Sequence, residues 1–514
     1  MKQRLVGLTA AVLISLAPGQ ALADDRVGRA GGPLRVHPTN PRYFTDGSGR
    51  TIYLTGSHTW PNLIDRGTSD PPPAFDFAAY LDLLRRSNHN FIRMWGRHVT
   101  RYQGYGREVL YAGPLAWPRT GPGAALDGKP RFDLDRFDQA FFDRLRDRVV
   151  AAGRQGIYVA VMLFDGWALH LSPAPDQVEG HPFHAANNVN GVGIGSILDY
   201  QVLPLDPRVQ ALQEAYIRKV VDTVADLPNV LWEVANESSG GGEIDPAFAD
   251  MLGLPATAEW GDSTAWQYRV IDTVKRHEQE QGYDPHPMGM TMQFPVPSQT
   301  KVNQPLYDSR AEWISPGYDD EVFADGGHPM APGSPPSRWL EDPPAADGRK
   351  VVISDTDHYA SHADALWAWK SFLRGHHPIL MDYGLIGGVN PPDPSAGGPM
   401  SSAAFEPARH AMGHTRRFAD RMQLIDMEPR DDLSSTGYAL ANPGREYLVL
   451  QPDGADGSFT VLLEPGTYTA EWFGIEDRKT VPGDGTAVER STTTSFSRPS
   501  ELSGPTVLYL LRSE

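Results

Sequence analysis

Between Thr51 and Asp382 the chain alternates short β-type runs with longer helical stretches, and this alternation restricts the fold more than any other feature. The runs are Thr51–Thr55, Phe91–Trp95, Ile157–Phe164, Val230–Ala235, Met288–Met292, Trp313–Ser315, Val351–Ser354 and Pro378–Met381. The sixth is the weakest of them. Connecting segments such as Phe77–Arg86, Phe137–Ala152 and Val209–Val224 carry apolar residues three and four apart, the period of a helix with one buried face. Strands that alternate with helices pair in parallel, and eight such units over roughly 330 residues predict a closed (β/α)₈ TIM barrel with insertions.

The texture changes after a helix expected near Ala403 to Asp420. From Gly437 onward short strands are predicted at Glu446–Gln451, Ser458–Leu463, Thr467–Phe473 and Thr506–Leu511, with turn signals at Pro452-Asp453-Gly454 and Pro465-Gly466. The expected organisation is therefore a barrel over residues 33–425 and a small all-β, sandwich-like domain over 435–514. Pro/Gly-rich stretches at Ser69–Pro73, Gly326–Pro336 and Gly387–Gly398 read as surface loops, and no internal repeat is visible. At the start, Lys2 and Arg4 precede an apolar run from Leu5 to Leu16 and the small-residue site Ala21-Leu22-Ala23. That order predicts a secretory signal over residues 1–23 and a secreted or periplasmic product. The apolar run is too short for a spanning helix, which needs roughly 20 residues, so no membrane association is expected after cleavage.

Barrel enzymes carry their catalytic groups at the C-terminal ends of the strands, so the residues that follow each run are the informative ones. The first run leads to His58 and Trp60, and the second holds Arg93 and Trp95. The third leads to Asp165 and Trp167, the fourth to Asn236 and Glu237, the seventh to Asp355, Asp357 and His358, and the eighth to Asp382. Carboxylates, aromatic rings and one arginine thus converge on one rim. Hydrolysis of a glycosidic bond requires two carboxyl groups flanking the bond, and aromatic faces hold the sugar. Residues 353, 355 and 357 share one side of an extended strand, so both aspartates are candidates to face a substrate.

Other chemistries fit less well. With no cysteine in the chain, thiol catalysis and Cys-ligated zinc are excluded. A formal charge of −18 and no basic stripe argue against a nucleic-acid partner. Asp357, His358 and His362 lack the spacing of a zinc motif and read as a polar rim, and Gly191-Val192-Gly193-Ile194-Gly195 lacks the context of a dinucleotide loop. No metal or cofactor is expected. Glu233 lies deeper on the strand that leads to Glu237 and reads as structural.

Trp232-Glu233-Val234-Ala235-Asn236-Glu237 resembles the strand-four Asn-Glu signature of glycoside hydrolase clan A. That resemblance implies a (β/α)₈ glycosidase in which Glu237 is the acid/base and Asn236 holds a sugar hydroxyl. The opening from Asn40-Pro41-Arg42-Tyr43-Phe44 to Tyr53 through Trp60 is similar to the apiosidase-like branch, whose members add a C-terminal collagen-binding-type β-domain. Gly437-Tyr438-Ala439-Leu440 and Tyr468 through Phe473 resemble that domain. Clan A enzymes carry a Glu nucleophile after strand seven, whereas this chain offers Asp355 and Asp357, of which Asp355 lies nearer the strand's end. The expected function is hydrolysis of an O-glycosidic bond in an oligo- or polysaccharide, with retention favoured and with Glu237 and Asp355 as the carboxylate pair. Arg93, Asn236, His58, Trp60, Trp95, Asp165, Trp167, Asp357, His358 and Asp382 are the expected substrate-binding groups. An inverting glycosidase and a barrel that binds carbohydrate or protein without turnover remain open alternatives, and the sequence does not set the oligomeric state.

Overall fold

The computed structural model describes residues 32–103, 109–170, 178–241, 249–250, 260–295, 302–323, 333–358, 364–382, 405–454 and 458–513. The expected signal segment, the 387–398 loop, most of the 326–336 loop and His362 lie outside these residues. Eight strands form one parallel sheet: β1 (Gly56–His58), β2 (Phe91–Met94), β3 (Tyr158–Asp165), β4 (Val230–Asn236), β5 (Met288–Thr291), β6 (Trp313–Ser315), β7 (Val351–Asp355) and β8 (His377–Met381). Each strand pairs with its sequence neighbour from β2 round to β8, and β8 returns to pair with β1. The helices that follow them in turn are α1 (Phe77–Arg86), α2 (Gln139–Arg154), α3 (Pro207–Val224), α4 (Thr264–Gln281), α5 (Gln304–Asp308), α6 (Arg338–Glu341), α7 (Ala365–Leu373) and α8 (Glu406–Arg421). This is the nearly closed (β/α)₈ barrel that the alternation predicts.

Local chemistry sets the helix boundaries. Asp206 caps α3 by accepting from the Arg208 and Val209 N–H groups, and Pro207 occupies the first turn, where a missing N–H costs nothing. Asp76, Asp138 and Asp364 cap α1, α2 and α7 in the same manner. The buried faces keep the predicted spacing, as in Val209, Leu212, Tyr216, Ile217, Val220 and Val224 of α3.

Alternate residues of the strands fill the barrel. Phe91, Tyr158, Ala160, Leu231, Trp313, Val351, Ile353 and Ile379 form its lower core, which Leu34 and Phe44 of an N-terminal hairpin (Arg35–Val36 with Phe44–Thr45) cover. The seam between β1 and β2 has no backbone ladder among the described residues. Asparagine side chains close it instead. Asn90 Oδ1 accepts from the Thr55 N–H at 2.9 Å and its Nδ2 donates to Tyr53 O at 2.8 Å. Asn62 bonds Arg93 O at 2.6 Å and the Trp95 N–H at 3.0 Å. Gly56 permits the approach, because a Cβ there would meet Phe91 O at 2.0 Å. The expected Thr51–Thr55 strand lies too early, because the first barrel strand begins at that glycine.

The C-terminal β-domain is a two-layer arrangement of antiparallel strands. Its larger sheet orders Glu428–Pro429, β9 (Ala439–Asn442), β10 (Glu446–Gln451), β15 (Thr506–Arg512), β12 (Gly466–Gly474) and β13 (Lys479–Val488), while β11 (Phe459–Leu463) pairs with β14 (Thr492–Phe496). Alternation divides the larger sheet between two cores. Tyr447, Val449, Trp472, Leu508 and Leu510 pack on Phe459, Val461 and Phe496, whereas Leu448, Leu450, Phe473, Val507 and Tyr509 join the barrel's own cluster with Trp369 and Phe418. Among the described residues no helix is long and apolar enough to cross a membrane.

Candidate active site

Strand parity carries Phe91 into the barrel floor and Arg93 one layer above it, so a guanidinium sits in the lumen. Its Nε and Nη2 grip Glu233 at 3.0 and 2.5 Å, and Nη2 also donates to Asn236 Oδ1 at 2.9 Å. Nη1 donates to Asp355 Oδ2 at 2.6 Å and lies 3.6 Å from Asp357 Oδ2. One side chain therefore ties β2 to β4 and β7. Arg93, Glu233 and Asp355 are all 0% exposed, a situation tolerable only because the donors and acceptors meet. Burial still pushes the Glu233 carboxyl up despite its two bonds to Arg93.

His58 and Trp95 extend the network. Trp95 Nε1–H donates to His58 Nδ1 at 3.1 Å, and His58 Nε2 lies 2.9 Å from Asp355 Oδ2. An indole nitrogen only donates, so Nδ1 must be unprotonated and the proton sits on Nε2, facing the carboxylate. Burial agrees, since it lowers the imidazole pKa more than Asp355 raises it. Burial alone would raise the Asp355 carboxyl, but His58 and Arg93 overcome it and hold the group well below the usual range. The second oxygen of Asp355 accepts from the Asp357 N–H at 3.0 Å. Asp355 is ionised, enclosed and fully engaged.

The other two carboxyl groups behave oppositely. Glu237 follows β4 at φ +40°, a left-handed conformation that non-glycine residues adopt at a cost and that recurs at functional sites. Close packing of the β3 and β4 tips holds it there: the Gly166 N–H donates to Asn236 O at 2.8 Å, and a Cβ on Gly166 would lie 2.3 Å from Glu237 O. Burial, then the charges of Asp357 and Asp165, raise the Glu237 pKa well above the usual value. Asp357 is the middle residue of the turn after β7 (Thr356–His358), and its side chain keeps 10% exposure. Burial and the neighbouring Asp355 charge push it up to about 8, and its Oδ2 has no hydrogen-bond partner. At the tips of β4 and β7, a carboxyl group held low, Asp355, thus lies with two whose pKa values are raised, Glu237 and Asp357.

Around this cluster the aromatic residues are arranged differently from the open sugar platforms expected. Trp60, Trp95 and Trp167 are buried, and together with Tyr102 they surround the Arg97 guanidinium at 5.6, 5.7, 5.6 and 4.7 Å. Arg97 Nε donates to Asp165 Oδ2 at 2.8 Å, so Asp165 lies at the rim as an ion-pair partner. His358 bonds Ser315 through Nδ1 at 2.8 Å, leaves Nε2 buried without a partner, and is held neutral by burial and Arg93, with its pKa lowered to about 3. Asp382, expected among the substrate-binding groups, faces Arg409 of α8 at 2.5 Å. Trp232, which by sequence is a candidate to bury Glu237, is turned outward, to Glu278 of α4 at 2.7 Å. Among the described residues no three histidine or acidic side chains gather as a metal ion would require.

Arg97 and Tyr102 are the rim residues that sequence reasoning missed. They belong to an insertion after β2 whose strand Arg101–Gln103 pairs with Val109–Gly113, which in turn pairs with Asp65–Gly67. An arginine two residues beyond the Trp95 position was the available signal. On the other face of this small sheet a cavity of about 450 Å³ is lined by Asp65, Arg101, Tyr111, Trp117 and Lys129, none of them in the carboxylate cluster.

No family model matches the sequence, and no curated protein matches it. Solved structures do. A glycoside hydrolase aligns over 94% of this chain and 97% of its own with a TM-score of 0.57 at 14% identity. A glycoside hydrolase family 5 protein from Bacteroides vulgatus aligns over 95% and 96% with a TM-score of 0.56 at 13% identity. At such identity the likeness is one of fold, and it extends over both the barrel and the β-domain.

Proposed function

We propose that this protein is an exported, retaining O-glycoside hydrolase that acts on an oligo- or polysaccharide without a cofactor. One observation carries the reading: at the C-terminal rim, a proton-holding Glu237 after β4 shares its surroundings with the carboxyl groups of β7. Glycoside cleavage requires one carboxyl group to hold its proton while the other is an anion, which this pair reaches above about pH 8, where Asp357 is ionised and Glu237 is not. Glu237 protonates the glycosidic oxygen as its bond to the anomeric carbon breaks, and a carboxylate of the β7 tip attacks that carbon to form a glycosyl ester. Glu237, now a base, takes a proton from water, which cleaves the ester and regenerates both groups.

Asp357 is the better attacking group in this reading, although Asp355 lies nearer the strand end. Both Asp355 oxygens are engaged and none of its surface is exposed, whereas Asp357 keeps an unpartnered oxygen and partial exposure. Asp355 then serves as a positioning residue, holding Arg93 and His58. Asn236, fixed by Arg93, lies beside Glu237 where a sugar hydroxyl would sit. The apiosidase-like resemblance of the opening segment belongs to the same reading and points to a side chain of a larger polysaccharide.

The test is a panel of aryl glycosides and polysaccharides, with the anomer of the first product followed by NMR. The expected product has the substrate's configuration. Inversion would replace the ester with direct attack of water, and no turnover of any glycoside would overturn the proposal.

A further inference from the structure

Arg97 is poorly matched to its surroundings unless something else binds it. Of its five N–H groups only Nε–H has a hydrogen bond among the described residues, to Asp165, while Nη2 is buried and unpartnered. The side chain is 3% exposed. A buried donor left unmade is costly, more so when it is charged, so such a group persists where it is used. Three tryptophans and Tyr102 enclose the guanidinium, and Arg66 adds a second cation, 4.3 Å over the Trp60 ring and 5.6 Å over Tyr102.

We propose that the terminal edge of Arg97 binds an oxyanion on the substrate, the carboxylate of a uronic acid residue next to the scissile bond. Asp165 occupies the Nε edge of the guanidinium, which leaves the planar Nη1–Nη2 pair as the free face. Two parallel N–H donors match the two oxygens of a carboxylate, a geometry that a sugar hydroxyl does not offer. Buried aromatic walls lower the local dielectric and strengthen such a pair. Trp95 lies against both guanidinium groups, 5.2 Å from Arg93 and 5.7 Å from Arg97, so the anion would bind beside the carboxyl cluster. The inference rests on the glycosidase reading and specifies its substrate class.

Three tryptophans beside Arg97 provide a direct signal. The full-length protein is titrated with D-glucuronate, D-glucose and inorganic sulfate at constant ionic strength, with tryptophan fluorescence as the readout. Glucuronate is expected to half-saturate at a concentration at least about tenfold below glucose, and Arg97→Lys should abolish that difference because an ammonium keeps the charge without the fork. Arg97→Gln combined with Asp165→Asn removes the pair together and guards against a folding defect from an unpaired buried aspartate. Sulfate as effective as glucuronate would support the oxyanion site and assign it to sulfated sugars. Equal response to glucose and glucuronate, or an unchanged preference in Arg97→Lys, would overturn the proposal. Kinetics separate its failure from that of the parent reading. Uronate-bearing polysaccharides and their carboxyl-reduced forms hydrolysed at equal kcat/KM would sink the oxyanion site alone. Charge-selective binding without hydrolysis of any glycoside would sink the glycosidase alone.

Discussion

If Asp357 is the attacking carboxylate, the free enzyme gains activity only as that group loses its proton. Burial and the Asp355 charge hold the proton on up to about pH 8. Below that point log kcat/KM should fall with unit slope, so a rate measured at about pH 6 should be roughly 100-fold below the plateau. Glu237 sets the opposite limb, because it must keep the proton that Asp357 gives up. Asp355→Asn removes the neighbouring negative charge, and Arg93, with one fewer anion to neutralise, favours ionised Asp357 further. Both effects have one sign: the lower limb moves toward acid, whatever happens to the height of the plateau. The assay is the initial rate on an aryl glycoside with a good leaving group, in overlapping buffers from about pH 4 to 10, with circular dichroism on the same samples. A wild-type profile that is flat between about pH 5 and 8 would refute the assignment, because only a carboxylate already ionised there, Asp355, could then be attacking. A limb that stays in place in Asp355→Asn would refute the electrostatic coupling itself.

Glu237→Gln should lower turnover of substrates with poor leaving groups by ~10²–10⁴-fold and spare activated aryl glycosides, and equal losses on both would count against general-acid catalysis. Asn90→Ala strands the Thr55 N–H and Tyr53 O at the barrel seam. A loss of about 2–5 kcal/mol is expected in urea unfolding, and a shift below about 1 kcal/mol would show that water replaces the side chain. Deleting the chain from Glu428 onward exposes the barrel surface under Leu448, Phe473 and Tyr509 and should yield aggregated protein. A soluble barrel with unchanged melting temperature would instead make the β-domain an independent attachment.

Much of the fold could be read from periodicity, because buried parallel strands and amphipathic helices leave strong signals. α1 and β10 match their expected bounds, and even the weak sixth run is a strand, three residues long. The misses have physical causes. β13 is rich in threonine, glycine and charge and is largely exposed, so it lacks the alternation that betrays a half-buried strand. The insertion holding Arg97 has strands of three to five residues, too short for any period to emerge. At the site, parity placed Asp355, Asp357 and Glu237 on one rim, but sequence spacing says nothing of which oxygens are already engaged. Asp355 was favoured by position along the strand, and burial is what separates it from Asp357. Asp382 lies just past the end of β8, where its carboxyl meets Arg409 of α8.

The Arg93 brace also constrains how this protein can change over generations. Glu233 and Asp355 each lose their main counter-charge if Arg93 is replaced, and Arg93 is left over-supplied with donors if either acid is lost. Breaking one arm of a buried ion pair costs about 3–5 kcal/mol, a large share of a typical domain's total stability, whereas exchanging the whole set for apolar residues is often neutral. Single-substitution routes out of the trio that leave no hydrogen-bonding side chain at the position therefore cross a poorly folding intermediate. Descendants of this chain should either keep all three residues or lack all three, even in lineages that have abandoned catalysis. In a set of related sequences, positions 93, 233 and 355 should vary together, whereas the rim positions above them drift with the substrate.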